Sequence, residues 1–366
     1  ETLLFLDEIQ KSEDVVHSLW FFKEDYPELH VIAAGSLLEF VLKDLSSFGV
    51  GRVSSLFVYP MSFDEFLTAT GQEGLLRTKR NSSPTNPLPE AFYNRLVEAF
   101  RSYMLVGGMP EAVATYTETG SYRYSSDIVN EIIQGYQDDF AKYGAKANPL
   151  LLRQTLISVA HQAGAKFVYS RVEGQYRSAE VKVALEMLKD AGLIIPTYHT
   201  DANGVPLGAE INERVVKYLI HDTGVLLGIL GIDDDIDDSI KEMMVADSIN
   251  LVDKGHVAEM MAGLELIKYS SPQKRHQLYY WQNMNKGTCA EVDYVIARSG
   301  SIVPIEVKSG VKGSMSSMYS LMRNPQKHIE MGIRCSLENF GTFESPDGKK
   351  IDIIPLYAIS NLFAEK

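Results

Sequence analysis

The chain opens on an apolar run that closes in two acids, Leu3-Leu4-Phe5-Leu6-Asp7-Glu8-Ile9-Gln10, and this feature constrains the fold most. Four apolar residues in a row read as a strand buried on both faces, the habit of parallel sheets. Such a strand needs a crossover helix and a neighbour. Both follow: Val15, Val16, Leu19, Trp20 and Phe21 recur at helical spacing, and His30-Val31-Ile32-Ala33-Ala34 forms a second apolar strand before Gly35-Ser36. A βαβ unit of this kind brings Asp7, Glu8 and Ser36 to one carboxyl edge, where nucleotides bind in open α/β sheets. In ATPases with such an edge the first carboxylate holds Mg2+ and the second polarises the attacking water, roles that Asp7 and Glu8 would take. Acids after a strand also serve as favourable charges at a helix start, so the pair alone leaves both readings open.

With 366 residues, 45% hydrophobic and 23% charged, the chain has the composition of a folded protein rather than a disordered, collagen-like or coiled-coil one. Its formal net charge of -13 repels nucleic acid and anionic membrane overall, but the charge is unevenly spread. Residues 251–366 carry 14 basic and 12 acidic side chains, against 21 and 36 in the residues before them. Any DNA contact is therefore expected in the C-terminal third. Cys289 and Cys335 are too few and too far apart for a disulfide framework or a thiolate metal site. No signal peptide and no apolar run of membrane-spanning length is recognisable, so the expectation is a cytoplasmic protein without a membrane partner.

Four segments together resemble a family of prokaryotic AAA-type ATPases with a helical lid and a C-terminal restriction-endonuclease-like domain. They are Leu4–Gln10 (the Walker B strand), Val31–Ser36 (the sensor strand), Gly51-Arg52-Val53 with Tyr59-Pro60-Met61-Ser62-Phe63-Asp64-Glu65-Phe66, and Tyr103-Met104-Leu105-Val106-Gly107-Gly108-Met109-Pro110. The resemblance implies ATP and Mg2+ as cofactors, with Asp7 on the metal, Glu8 catalytic, Ser36 sensing the γ-phosphate and Arg52 as a sensor or finger arginine. It also implies assembly as a homo-oligomer. One departure is large: no Gly-x-x-x-x-Gly-Lys-Ser/Thr occurs anywhere, so the loop that should cradle the phosphates is missing from this sequence and its nucleotide affinity is expected to be weak or absent. The family places that loop before the Walker B strand, and the chain reads as a product lacking that N-terminal segment.

Residues 80–89, polar and proline-rich, read as a linker. Helical periodicity over Ala91–Met104 and Ser126–Tyr143 around the Gly107-Gly108-Met109-Pro110 turn reads as a lid, with Gln137-Asp138-Asp139 on a solvated face. Helices over Leu151–Ala163 and Ser178–Ala191, then strands near Leu193–His199 and Val215–Ile220, outline a winged helix. Its last helix carries Arg177, Lys182 and Lys189 as candidate DNA contacts, interleaved with Glu180 and Glu186. The run Asp233-Asp234-Asp235-Ile236-Asp237-Asp238 lacks the Gly and the terminal Glu of a calcium loop and reads as a solvated helix start or loop.

The clearest chemistry lies near the end. Ala290–Ala297 and Ser301–Gly310 alternate apolar and polar residues around Arg298-Ser299-Gly300, a hairpin pattern. Asp293 lies near the start of the first strand, and Glu306 and Lys308 are two apart on the second, so they leave the same face. This is the Asp…Glu-x-Lys core of the restriction-endonuclease-like superfamily, in which carboxylates hold Mg2+ and the lysine orients or deprotonates water. Asp293 and Glu306 are the expected metal ligands. Glu259, on the helical stretch Gly255–Leu266, is the expected third carboxylate, with Glu265 the weaker candidate.

The expectation is thus an α/β protein comprising a partial P-loop AAA-type core (1–79), a helical lid (80–149), a winged-helix segment (150–228) and a restriction-endonuclease-like α/β domain (229–366). Its expected work is ATP-driven action on DNA, with Mg2+-dependent cleavage at Glu259, Asp293, Glu306 and Lys308. The alternative is a regulatory or interaction module in which the nuclease-like fold only binds DNA or a partner.

Overall fold

In the computed structural model, which describes residues 2–35, 53–141, 148–231, 254–283, 290–310 and 313–363, β1 (Leu3–Leu6) and β2 (His30–Ala33) pair in parallel. The helix α1 (Glu13–Asp25) makes the crossover. Ser12 caps it by accepting the Val15 N–H, and Glu13 and Asp14 favour its N-terminal dipole. Val16, Leu19 and Ile9 form a small core with Leu6, Phe22, Val31 and Ala33, while Leu3, Phe5 and Ile32 on the other face are exposed. Ser36, Arg52 and the Asp233–Asp238 run lie outside the described residues.

The next helices are α2 (Phe63–Ala69), α3 (Glu73–Arg80), α4 (Glu90–Val106), α5 (Pro110–Thr119) and α6 (Tyr122–Phe140). Ser62 starts α2 in a capping box with Glu65. Just before it, the Met61 N–H donates to the Gly108 carbonyl at 2.7 Å. A Cβ on Gly108 would fall 2.2 Å from the Met61 oxygen, so the close approach needs glycine there, and Gly107, with φ of 78°, turns the chain out of α4. Two of the segments that carry the family resemblance therefore fit one another directly. Phe63, Phe66, Phe100 and Tyr103 pack their rings behind this contact.

Residues 80–89 do not behave as a linker. Ser83 and Asn86 pair through their backbones, and Leu88 is buried. The Leu88 N–H donates to Asn339 Oδ1 at 3.1 Å, Asn339 Nδ2 donates back to the Leu88 carbonyl at 2.8 Å, and Asn361 Nδ2 donates to the carbonyls of Lys79 (2.9 Å) and Ser82 (3.0 Å). The prolines fix the turn, and two distant asparagines satisfy the polar groups it leaves.

After α7 (Pro149–His161) and α8 (Ser178–Asp190), β3 (Ile194–Thr200) and β4 (Ile211–Ile220) run antiparallel, so the helices and ribbon expected from the sequence are present. The ribbon is not free. The other edge of β3 pairs in parallel with β5 (Leu278–Gln282), which pairs with β6 (Glu291–Val292), giving the order β4-β3-β5-β6. β3 is almost wholly buried, and a buried strand requires hydrogen-bond partners on both edges. The short α9 (Thr223–Ile229) is capped by Asp222, whose second oxygen accepts the Gly108 N–H at 2.6 Å.

The helix α10 (Lys254–Lys268) precedes β5. Beyond β6, β7 (Tyr294–Arg298), β8 (Ser301–Val307), β9 (Met331–Ser336), β10 (Gly341–Glu344) and β11 (Lys350–Pro355) form a second sheet in the order β10-β11-β9-β8-β7, with α11 (Ser316–Arg323) packed beside it. The β7–β8 hairpin turns at Ser299 and Gly300, both left-handed, as its turn sequence requires. Only Asp293 separates the last residue of one sheet from the first of the other. One apolar core runs from Phe63 to Leu362 and crosses the expected divisions after residues 79, 149 and 228.

Candidate functional site

Asp7 and Glu8 leave the carboxyl end of β1 beside the end of β2, where the Ile9 N–H donates to the Ala34 carbonyl at 3.1 Å. Asp7 is exposed and its Oδ1 accepts the Glu8 N–H at 3.0 Å. Glu8 has a φ of 52°, a backbone region uncommon for a non-glycine residue and concentrated at functional sites. Its carboxylate accepts from Gln10 Nε2 at 2.9 Å and lies 3.5 Å from Lys11 Nζ. The two carboxylates thus stand at the edge the sequence predicts.

The C-terminal cluster forms at the junction of the two sheets. Asp293 Oδ2 accepts the Val307 N–H at 2.7 Å, which ties the start of β7 to the end of β8. Glu306 is 5% exposed; its Oε1 accepts from Lys308 Nζ at 2.6 Å, and its buried Oε2 has no partner. Glu259 comes from α10, which the hairpin holds: Tyr294 Oη donates to the Glu259 carbonyl at 2.8 Å. Gly263 makes room for that tyrosine, since a Cβ there would fall 2.4 Å from the hydroxyl oxygen.

Two members were not anticipated. Lys217 of β4, its side chain 1% exposed, places Nζ 2.8 Å from Glu259 Oε1 and 2.5 Å from Glu291 Oε1, and 5.0 Å above the Tyr280 ring. The signal for Lys217 was in the sequence: Val215-Val216-Lys217-Tyr218-Leu219-Ile220 puts one cation in an apolar strand, and a buried cation must be paired. Nothing local pointed to Glu291 as its partner.

Four carboxylates here face two lysines. Burial pushes Glu259 up to about 8, with Lys217 opposing and Asp293 adding to the rise. Burial likewise lifts Glu306 to about 7, reinforced by Asp293 and opposed by Lys308. Asp293 is raised by burial against the pull of the Val307 N–H and both lysines. Burial alone would lower Lys217, but Glu259 and Glu291 outweigh it and hold it above its ordinary value. The cluster therefore relieves its excess negative charge partly by keeping protons. Among the described residues, no group of three or more His, Cys, Asp or Glu side chains is arranged to hold a metal, and Glu259 is engaged with Lys217. The pair that fits a divalent cation is Asp293 with Glu306. Both offer hard oxygen donors, and Glu306 Oε2 is buried without a hydrogen-bond partner.

The remaining candidates fall elsewhere. Glu265, 1% exposed, accepts from Tyr103 Oη at 2.8 Å and from the Phe63 N–H at 3.2 Å, a packing role away from the cluster. Arg177, the capping residue before α8, and Lys182 on the helix are exposed, whereas Lys189 is half-buried and paired with Glu186. The Arg177 N–H donates to Glu180 Oε2 at 2.8 Å, so that acid closes the helix start. Asp138 is exposed, as expected for a solvated helix face.

Residues 1–67 match the family model described as an AAA domain. Residues 97–236 and 254–359 match two families described as domains of unknown function, DUF8612 and DUF4143. No curated protein matches the chain. Among solved structures, the Walker-type ATPase PABY2304 of Pyrococcus abyssi is similar over 63% of this chain and 63% of its own, at 19% identity and a TM-score of 0.40. The described residues contain no helix long and apolar enough to cross a membrane. The AAA-domain match covers the parallel β1–α1–β2 unit that carries Asp7 and Glu8.

Proposed function

We propose that this chain is an ATP-binding protein of AAA type that acts on DNA, and that the cluster between its two C-terminal sheets hydrolyses phosphodiesters with a divalent cation. The observation that carries the reading is the convergence of Asp293, Glu306 and Lys308 with one Glu306 oxygen buried and unpartnered. Asp293 and Glu306 would hold the cation, which when bound supplies positive charge to the phosphate and acidifies water. Lys308, 21% exposed at the rim, is within reach of solvent and would orient the attacking water. The near-balanced charge of residues 251–366 admits a phosphate backbone that the acidic front would repel. On the N-terminal edge, Asp7 would hold Mg2+ beside ATP, Glu8 would polarise water, and Ser36 and Arg52 would read the γ-phosphate. Arg177 and Lys182 of α8 are a secondary DNA contact, weakened by the Lys189–Glu186 pair.

Incubation of the purified chain with supercoiled plasmid and with single-stranded DNA in Mg2+ or Mn2+ tests this. Nicking that disappears in chelator and in Asp293→Ala is the expected outcome. Equal, residual cleavage by wild type and Asp293→Ala would leave the binding-only alternative.

A further inference from the structure

The segment that closes the AAA match runs antiparallel along the end of α10 and the loop after it. The Phe57 N–H donates to the Pro272 carbonyl at 2.8 Å, and Arg275 stands over the Phe57 ring at 5.4 Å. Lys268 Nζ donates to the Met61 carbonyl at 3.0 Å and to Tyr103 Oη at 2.6 Å. The Asp64 N–H donates to Tyr269 Oη at 3.1 Å, and Glu265 accepts the Phe63 N–H. These contacts fix the backbone on both sides of Ser62, where α2 begins. Six residues before Glu265 the same helix presents Glu259 to Lys217, about 9 Å away along the axis. Between the two ends, every residue from Val257 to Ile267 is buried. A helix packed on all sides cannot yield at one end alone, because close-packed neighbours transmit the displacement.

We propose that α10 is the transmission element between the end of the AAA match and the C-terminal cluster. Glu265, Lys268 and Tyr103 are positioning residues whose grip on Met61 and Phe63 sets the order of the Glu259–Lys217 pair. A shift of the Met61–Phe63 backbone moves Glu259, and by reciprocity a change at Lys217 is felt at the start of α2. The coupling goes beyond the cleavage reading and needs neither a cation nor DNA at the cluster, so a chain that cuts nothing leaves it standing.

The test is a double-mutant cycle in the full chain between Tyr103 of α4 and Lys217 of β4. The two residues lie on different elements, and each bonds to α10, Tyr103 through Glu265 and Lys268 and Lys217 through Glu259. Urea denaturation gives the unfolding equilibrium constants of Tyr103→Phe, Lys217→Met and the double variant. The double variant should depart from the product of the single effects by about fivefold or more, as energetically coupled sites do. Tyr103→Phe combined with Glu259→Gln, which keeps the side-chain shape, should depart likewise and carries the test if Lys217→Met does not fold. Asn339→Ala, which frees the Leu88 turn, should combine with either cluster variant within about twofold. Native-state hydrogen exchange should show the amides of α10 and of the β7–β8 hairpin opening as one unit that Tyr103→Phe loosens. Single effects that multiply within about twofold in the Tyr103 cycles overturn the inference. So does a hairpin whose exchange Tyr103→Phe leaves unchanged. A departure of about fivefold in the Asn339 cycles also overturns it, for the whole core would then respond without any special part for α10.

Discussion

Lys79→Met should destabilise the chain by about 3–5 kcal/mol, the usual cost of breaking a buried ion pair from one side. Lys79 is fully buried and pairs with Asp64 of α2, itself 5% exposed; its Nζ also donates to Ser360 Oγ at 2.6 Å. Asp64 further accepts from Tyr269 Oη at 3.0 Å and from Arg80 Nε at 3.1 Å. Burial works against both charges. It holds Lys79 below its ordinary value, while the Asp64 carboxyl ends below its own because Lys79, Tyr269 and Arg80 outweigh burial. Removing the lysine leaves a carboxylate whose remaining ion pair among the described residues is with an exposed arginine, Arg80. Asp64→Asn/Lys79→Met should recover most of the loss, since removing both charges also removes their desolvation. Urea denaturation of the two variants and wild type measures this; a single mutant within about 1 kcal/mol of wild type would mean the pair is not closed in solution. Because Asp64 lies within the AAA match and Ser360 and Tyr269 come from the far end of the chain, the same loss should loosen the join between them.

The second large effect is a fall in stability as the pH rises. Glu306 and Glu259 stand at about 7 and about 8 in the folded chain, against an ordinary glutamate value of 4.5. The folded state therefore holds protons that the unfolded state has released. Their contribution is fully present below the unfolded value and is lost as the pH climbs through the folded values. For Glu306 alone the shift corresponds to on the order of 3 kcal/mol. Urea titrations at several pH values should show declining stability between mildly acidic and mildly alkaline buffer, flatter in Glu306→Gln and restored at high pH by Mn2+. An identical slope in wild type and Glu306→Gln would contradict the buried, proton-holding cluster.

Much of the architecture was legible where residues are local. The β1–α1–β2 unit follows from an apolar run, a helical period and a second apolar run, and the β7–β8 hairpin from alternation around Ser299-Gly300. Asp293, Glu306 and Lys308 converge because a hairpin fixes the register between its own strands. What the sequence hid is non-local. The pairing of β3 with β5 joins residues some eighty positions apart, and no pattern in either strand names its partner. Residues 80–89 read as a linker because proline and asparagine set turns whether or not a distant Asn339 and Asn361 hold them. Lys217 stood out as a cation in an apolar strand, but Glu259 and Glu291 became its partners only through that sheet and α10.

In the proposed function, the Asp293–Glu306–Lys308 cluster cuts DNA with the help of a divalent cation. Its most direct test is plasmid nicking in Mn2+ by wild type and Glu306→Gln, each first shown by band shift in Ca2+ to hold the same DNA. Equal DNA binding is expected, with nicking by Glu306→Gln reduced to background. Equal nicking by the two proteins, or none by either while both hold DNA, would contradict it.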